Sequence, residues 1–192
     1  MQPQNLIHPT AIIDPGAQIG KGTLIWHFCH IMPLASVGDG CTIGQNVFID
    51  NHVEVGNRVK IQNNVSLYNG VIIGDDVFLG PSVVFTNVIN PRSFIERKNE
   101  FKPTLISNGA TIGANAAIIC GISIGAYALV GAGAVVTKSF PPFALVTGNP
   151  ATQKGWVSRS AYKLIFNDKG EGDCPATREK YRLNGTKVEI LE

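Results

Sequence analysis

The sequence predicts an all-β chain folded as a parallel β-helix, and two linked patterns support this prediction. An apolar residue recurs at every sixth position from Ile7 to Phe85 without a gap. A small or β-branched residue follows each of these by four positions, from Ala11 through Val83. An amphipathic helix has a period near 3.6 and an alternating strand a period of 2, so neither produces this register. A fixed six-residue repeat is typical of a parallel β-helix, in which each repeat forms one short face of a prism.

Three hexads make one coil, so residues eighteen positions apart are expected to stack on one another. One corner of the predicted prism carries a glycine in each coil, and we expect it to be a tight solvent turn that needs glycine's backbone freedom: Gly20, Gly38, Gly56, Gly74. The other two corners carry polar and aromatic side chains, including His27, Asn63, Tyr68 and Asn87. The functional residues are therefore expected on these two corners.

The repeat fails once and then ends, which divides the chain into parts. Residues 1–150 are predicted to form the β-helix, interrupted by an insertion loop at 89–104, because Phe85 and the next inward residue, Ile106, are not separated by a multiple of six. Long insertions of this kind are usually functional or disordered. Residues 151–192 are predicted to form a tail with a short helix at 151–167 and a small β segment such as Lys187–Leu191.

Composition narrows the classes of function. Of the 192 residues, 44% are hydrophobic and 16% charged, which fits an extensive dry core, and the net charge is only +2. No long basic run predicts nucleic-acid binding, and no apolar stretch is long enough to span a membrane. We therefore expect a cytoplasmic protein. The four cysteines have neither disulfide nor metal spacing, and Cys29 and Cys41 occupy small inward positions of their hexads.

Two long segments resemble the hexapeptide-repeat acyltransferases: IGANAAIICGISIGAYALVGAGAVVTK (112–138) and the closing PPFALVTGNPA (141–151). This resemblance implies that the β-helix is left-handed, a property that the spacing alone does not give. It further implies a homotrimer with active sites between subunits, an insertion loop that reaches across the cleft, and acyl-CoA along the C-terminal coils.

A narrower resemblance is carried by IWHFCHI (25–31), KIQNNVSLYNGV (60–71) and VFLGPSVVFTNVINPRS (77–93). These segments resemble bacterial N-acetyltransferases that act on nucleotide-linked amino sugars. The implied reaction transfers an acetyl group from acetyl-CoA to the 3-amino group of UDP-2-acetamido-3-amino-2,3-dideoxy-glucuronate, in lipopolysaccharide and O-antigen biosynthesis. Relatives often carry a zinc ribbon in the tail, but here Ser158 and Ser160 stand at the first cysteine pair and only Cys174 remains of the second, so we expect no metal.

The predicted catalytic residues are Asn87 and, second, Asn90, both beside the insertion. The reaction requires the amine to be oriented, the oxyanion to be stabilised and a proton to be removed. A neutral amine is already nucleophilic, so a strong general base is not required. In the resemblance, an asparagine often stands where O-acetylating relatives place a catalytic histidine.

The remaining predicted site residues fall into two groups. The acceptor-binding group is His27, His30, Gln62, Asn64, Tyr68, Arg92 and Arg97; the CoA-binding group is Gly131, Ala132, Gly133 and Lys138. The arginines would pair with phosphate or carboxylate, and the small residues would let pantetheine lie close to the prism wall. Structural roles stay open for each: corner hydrogen bonding, solvated loop charge or solenoid packing.

The residues leave three rival functions. An O-acetyltransferase would use His27 or His30 as general base, since imidazole suits that role near pH 7. A β-helical metalloenzyme needs convergent histidines at a spacing that this sequence lacks. A non-catalytic scaffold would leave the 131–138 stretch and the charged insertion unexplained.

Overall fold

The computed structural model describes residues 5–191 and has three flat faces of short parallel strands, as the repeat predicts. Face 1 contains Leu6–Ile7, Leu24–Ile25, Thr42–Ile43, Lys60–Ile61, Phe78–Leu79, Thr111–Ile112, Leu129–Val130 and Ala144–Thr147. Face 2 contains Ile12–Ile13, His30–Ile31, Phe48–Ile49, Ser66–Leu67, Val84–Phe85, Ala117–Ile118 and Val135–Val136. Face 3 contains Gln18–Ile19, Ser36–Val37, Glu54–Val55, Val71–Ile73, Thr104–Ile106 and Ser123–Ile124.

The six-residue period builds a continuous core along the prism axis. The second residue of each two-residue strand points inward, so that Ile25, Ile43 and Ile61 stack in successive coils with no exposed surface. The small residue four positions later fills the next turn of the core, as Cys29 and Val47 do. Burial raises the pKa of the Cys29 thiol, which agrees with its predicted role as a small core residue.

Most turns of the prism contain a residue in the left-handed backbone region, three positions after the inward residue. Glycine occupies some of these positions, but Phe28, His52 and Asn64 adopt the same conformation with φ of 57°, 58° and 62°. The glycines of the predicted tight corner, Gly20 to Gly74, are different residues with ordinary φ. The expectation that these positions need glycine's backbone freedom is wrong.

Those corner glycines are required because adjacent coils approach closely. A Cβ placed on Gly56 would lie 2.5 Å from Asp75 Oδ1 and 2.7 Å from the backbone carbon of Gly74. The corner is held by a ladder in which each side-chain oxygen accepts a hydrogen bond from the backbone of the coil below: Asn57 Oδ1 from Asp39 N at 2.9 Å and Asp75 Oδ1 from Asn57 N at 2.7 Å. A side chain at the glycine position would force these coils apart.

The insertion leaves the prism after Phe85 and returns at Thr104, which already belongs to a face 3 strand, so the predicted end at 104 is one residue too long. Val71 pairs with Thr104, thirty-three residues later rather than eighteen. The loop contains a 3₁₀ turn at Lys98–Glu100 and a bridge between Arg92 and Ile95.

The tail differs from the prediction. No helix forms at 151–167; instead Thr152–Val157 pairs antiparallel with Ala144–Thr147, and Lys163–Leu164 pairs with Thr152–Val157. The open edge of face 1 offers unpaired backbone groups, and pairing with them overrides local helix propensity. A separate sheet of Glu171–Asp173, Lys180–Asn184 and Lys187–Leu191 follows, which includes the predicted 187–191 strand.

The tail is held by its own apolar cluster, which joins it to the end of the prism. Phe143 and Leu164 pack with Cys174, Tyr181 and Val188, all buried. Cys174 Sγ lies 3.2 Å from Ser158 Oγ within this cluster. The tail is therefore an apolar cap on the last coil.

Candidate functional site

The predicted site residues border face 2 on both sides. The turns that join face 1 to face 2, here called the His27 corner, carry His27, Gln62, Asn64 and Gly131 to Gly133. The turns that join face 2 to face 3, here called the Tyr68 corner, carry Tyr68, Asn87, the insertion and Lys138. Face 2 and its two corners therefore form the candidate site.

Along the prism axis the same residues are widely spread. His30 lies on the second strand of face 2, whereas Val84, three residues before Asn87, lies on the fifth. Neighbouring strands are about 4.8 Å apart, so His30 and Asn87 are separated by roughly 14 Å within one chain. The two rival catalytic groups of one chain cannot both contact one reacting atom.

Asn87 lies at the neck of the insertion. Its backbone oxygen accepts a hydrogen bond of 2.9 Å from Lys102 N, which ties the two ends of the loop together. The preceding Thr86 is also fixed, because its Oγ1 accepts a 2.9 Å hydrogen bond from Cys120 N of the next coil. Asn87 is half-buried, and its amide makes no side-chain hydrogen bond within residues 5–191. The amide is thus held on a rigid base while its polar atoms stay available.

The insertion itself presents apolar and cationic groups. Phe94 is 82% exposed, and Ile89 and Ile95 are also exposed. Arg97 is already paired, since its Nη1 donates to both carboxylate oxygens of Glu100 at 2.7 and 2.9 Å. Arg92 donates only to the backbone oxygen of Pro91. Of the two loop arginines, Arg92 is the one whose guanidinium pairs with no carboxylate in the described chain.

His30 belongs to a polar and aromatic row on face 2. Its Nε2 lies 3.0 Å from Asp14 Oδ2, and its ring meets Phe48 edge-on at 5.7 Å between centroids. The centroid of the Phe48 ring in turn lies 6.1 Å from that of the Tyr68 ring. Sequence reasoning missed Phe48, although its position eighteen residues after His30 could have indicated it. Asp14 is sixteen residues before His30, and no periodic signal connects them.

His27 lies beside a concavity of about 340 Å³ on the His27 corner. Its ring stacks on His8 at 3.5 Å between centroids, which fixes its orientation. Trp26, Gln45 and Gln62 also line this concavity. The structure therefore brings predicted residues His27 and Gln62 together, whereas Asn64 lies outside the lining and its Oδ1 accepts from Asn46 Nδ2 at 3.3 Å.

The predicted CoA residues lie on the last full coil, at opposite borders of face 2. A Cβ on Gly131 would lie 2.8 Å from Thr147 Cγ2, so that a side chain at this position would displace Thr147. Gly133 has a left-handed φ of 69°, and a Cβ there would meet nothing within 4 Å, so the surface above it is open. Exposed Ala132 lies between them, and Lys138 Nζ lies 5.7 Å from the Phe140 ring. Binding of CoA to these residues stays a prediction.

Two further observations concern metals and membranes. Within residues 5–191, no group of three or more histidine, cysteine, aspartate or glutamate side chains is arranged to hold a metal ion. In the same part of the chain, no helix has the length and apolar character needed to cross a bilayer.

Comparison with known proteins defines the class. The model of the bacterial transferase hexapeptide family, six repeats, matches residues 52–87 and 103–138. These are the coils on both sides of the insertion. The chain belongs to this family, and its β-helix is the left-handed β-helix of hexapeptide-repeat proteins.

Among curated relatives, the chain is 54% identical over 162 residues to dTDP-3-amino-3,6-dideoxy-α-D-galactopyranose 3-N-acetyltransferase of Aneurinibacillus thermoaerophilus, covering 84% of this chain and 83% of that protein. Among solved structures, PerB from Caulobacter crescentus in complex with CoA and GDP-perosamine is 26% identical with a TM-score of 0.53, over 80% of this chain and 58% of that one. The hexapeptide-repeat acetyltransferase VCA0836 from Vibrio cholerae, complexed with acetyl-CoA, is 29% identical with a TM-score of 0.51, over 60% of this chain and 70% of that one.

These findings confirm the predicted family, the predicted fold class and the prediction of an acyltransferase that uses acetyl-CoA. The chain spans little more than half the length of PerB.

Proposed function

We propose that this chain transfers the acetyl group of acetyl-CoA to the 3-amino group of a nucleotide-linked amino sugar. The observation that carries the proposal is the 54% identity to a dTDP-linked 3-amino sugar 3-N-acetyltransferase over 83% of that relative's length. The structure supports it with a half-buried asparagine amide, free of side-chain partners in the described residues, at the neck of the insertion.

The reaction forms a bond between the sugar nitrogen and the thioester carbonyl carbon and breaks the bond from that carbon to sulfur. The proton lost by the nitrogen leaves with the CoA thiolate or passes to water. Asn87 is proposed to orient the amine or its carbonyl partner, with Asn90, which is exposed on the loop, as the second candidate. Because the amine is nucleophilic when neutral, no histidine is needed close to Asn87.

Two acceptors deserve direct comparison. The relative's substrate is a dTDP-linked 3-amino-3,6-dideoxy sugar. The acceptor predicted from the sequence is UDP-2-acetamido-3-amino-2,3-dideoxy-glucuronate, which carries a carboxylate. Arg92 favours this second candidate, since its exposed guanidinium pairs with no acidic side chain in the described chain and could bind that carboxylate bidentately.

The remaining parts of the proposal follow the resemblance. We propose a homotrimer in which the exposed apolar insertion residues, such as Phe94, are covered by a neighbouring subunit. Three further parts stay predictions: a role in surface-polysaccharide synthesis, a cytoplasmic location, and acceptor contacts by His27, His30, Asn64 and Tyr68.

The experiment that tests the function presents a panel of UDP- and dTDP-linked amino sugars with acetyl-CoA and measures free thiol release. Turnover of 3-amino sugars is expected. If Arg92→Ala loses turnover of the uronate while turnover of the 6-deoxy sugar is unaffected, this result would support the uronate as the acceptor. Turnover of sugar hydroxyls alone would overturn N-acetylation.

A further inference from the structure

The concavity on the His27 corner is a slot between side chains two coils apart. Trp26, Gly44 and Gln62 occupy the same position in three successive coils, and all three line the concavity. Gly44 places no side chain between its neighbours, and two coil spacings correspond to roughly 10 Å. The indole of Trp26, 42% exposed, therefore faces a gap wide enough to admit one planar ring.

The groups around the slot are neutral and suit hydrogen bonding. The side-chain amides of Gln45 and Gln62 make no hydrogen bond within residues 5–191, whereas Asn63 Oδ1 is occupied by the backbone N–H of Gln45 at 2.9 Å. No carboxylate or ammonium group lines the concavity, and His27 is its one titratable lining residue. A free amide presents one acceptor and two donors side by side.

We propose that this slot binds the pyrimidine base of the nucleotide-linked acceptor. The ring of uracil or thymine would stack on Trp26, and its imide edge, an N–H between two carbonyl oxygens, matches the paired donor and acceptor of the Gln62 amide. The inference rests on the proposed function, since it assigns a base subsite to the same nucleotide sugar. It assigns to Trp26 a specificity role that the acetyl-transfer chemistry does not require.

Glycine at position 44 is consistent with this assignment and also has a packing reason. A Cβ on Gly44 would lie 2.6 Å from Asn63 Oδ1 and 2.8 Å from the backbone carbon of Gln62. Substitution of Gly44 would therefore disturb the coils as well as the slot, and it is not a clean test. Trp26 and Gln62 are better targets, because both side chains point away from the core.

The test measures binding of UDP, dTDP and GDP by calorimetry, with no sugar and no acetyl-CoA present. Trp26→Ala is expected to weaken UDP and dTDP binding by about tenfold or more, the range found when an aromatic side chain that stacks on a base is removed. Gln62→Ala is expected to weaken binding by a smaller factor. Phe28→Ala is the matched control, because Phe28 lies in the same turn and is exposed but does not line the slot.

A change in the ligand tests the hydrogen-bonding edge without altering the protein. UDP methylated at N3 of uracil should bind to the wild type more weakly than UDP does. The Gln62→Ala variant should bind the two ligands equally well. GDP should bind more weakly than UDP.

The outcomes separate this inference from the proposed function. If UDP binds and 3-amino sugars are acetylated, but Trp26→Ala and Phe28→Ala bind UDP alike, the slot assignment is wrong and the function stands. If no nucleotide binds while the enzyme acetylates amines without a nucleotide, both are wrong. Equal affinity of the wild type for methylated and unmethylated UDP would rule out the proposed contact between the imide edge and Gln62.

Discussion

Replacing Asn87 and His30 separately distinguishes amine acetylation from histidine-based O-acetylation. The two side chains lie along one face but are separated by three coils, roughly 14 Å. One reacting atom of the acceptor therefore cannot contact both side chains of the same protein chain. Asn87 is fixed through the 2.9 Å hydrogen bond from Lys102 N to its backbone oxygen. A side-chain change there removes the amide while this backbone bond at the loop neck can persist.

The expected magnitude follows from the chemistry of a positioned amide. Removing one preorganised hydrogen-bond donor from a developing oxyanion costs about 10² to 10³ in kcat. We expect Asn87→Ala to fall in this range, with the KM for acetyl-CoA little changed. Asn87→Asp keeps the shape but replaces the NH₂ donor with a negative charge, and it should lose as much. His30→Ala is expected to raise the acceptor KM and leave kcat largely unchanged.

Thiol release under saturating acetyl-CoA gives both constants for each variant. Asn90→Ala serves as the comparison on the same loop, since Asn90 is exposed beyond the neck. A large loss of kcat in His30→Ala together with a small loss in Asn87→Ala would refute the account and favour a histidine base supported by Asp14. A large loss in Asn90→Ala alone would move the catalytic role along the loop.

Three further predictions concern the scaffold and can be checked by denaturant unfolding. Gly56→Ala should destabilise by about 1–3 kcal/mol through overpacking between coils. Gly40→Asn should cost less, because φ there is a left-handed 66° and a Cβ would make only an ordinary contact of 3.7 Å with Arg58 Cγ; equal losses would contradict the close-approach argument. Leu67→Ala in the fully buried stack should cost about 2–5 kcal/mol, and a smaller loss would mean that the core collapses around the gap. Burial and the hydrogen bond to Glu179 raise the pKa of Tyr181 to about 12, so stability is full below pH 10 and falls between pH 10 and 12; Tyr181→Phe should lack this fall, and an unchanged pH profile would contradict it.

The sequence predicts the prism well because each hexad repeats the same local rule. Positions such as Ile25 and Ile43 are buried and in register as the period requires, and the insertion is visible as the one break in that period. The tail was harder to predict, because Thr152–Val157 forms a strand only through pairing with the edge that Ala144–Thr147 provides.

The site is predictable only in part, for a related reason. Stacking at intervals of eighteen takes Tyr68 to Thr86, the residue before Asn87, and leads from Trp26 through Gly44 to Gln62. Contacts outside this interval, such as His30 with Asp14 or Arg97 with Glu100, depend on side-chain directions that the repeat does not encode. The reason for the corner glycines was also hidden, since close approach and a left-handed turn both favour glycine.

The most direct measurement of the central claim is thiol release from acetyl-CoA by the wild-type protein, with matched nucleotide-linked sugars that carry an amine or a hydroxyl at carbon 3. The account predicts turnover of the 3-amino sugar, an amide product at that nitrogen, and little turnover of the 3-hydroxyl sugar. Equal or preferred turnover of the hydroxyl sugar, with an ester product, would contradict it.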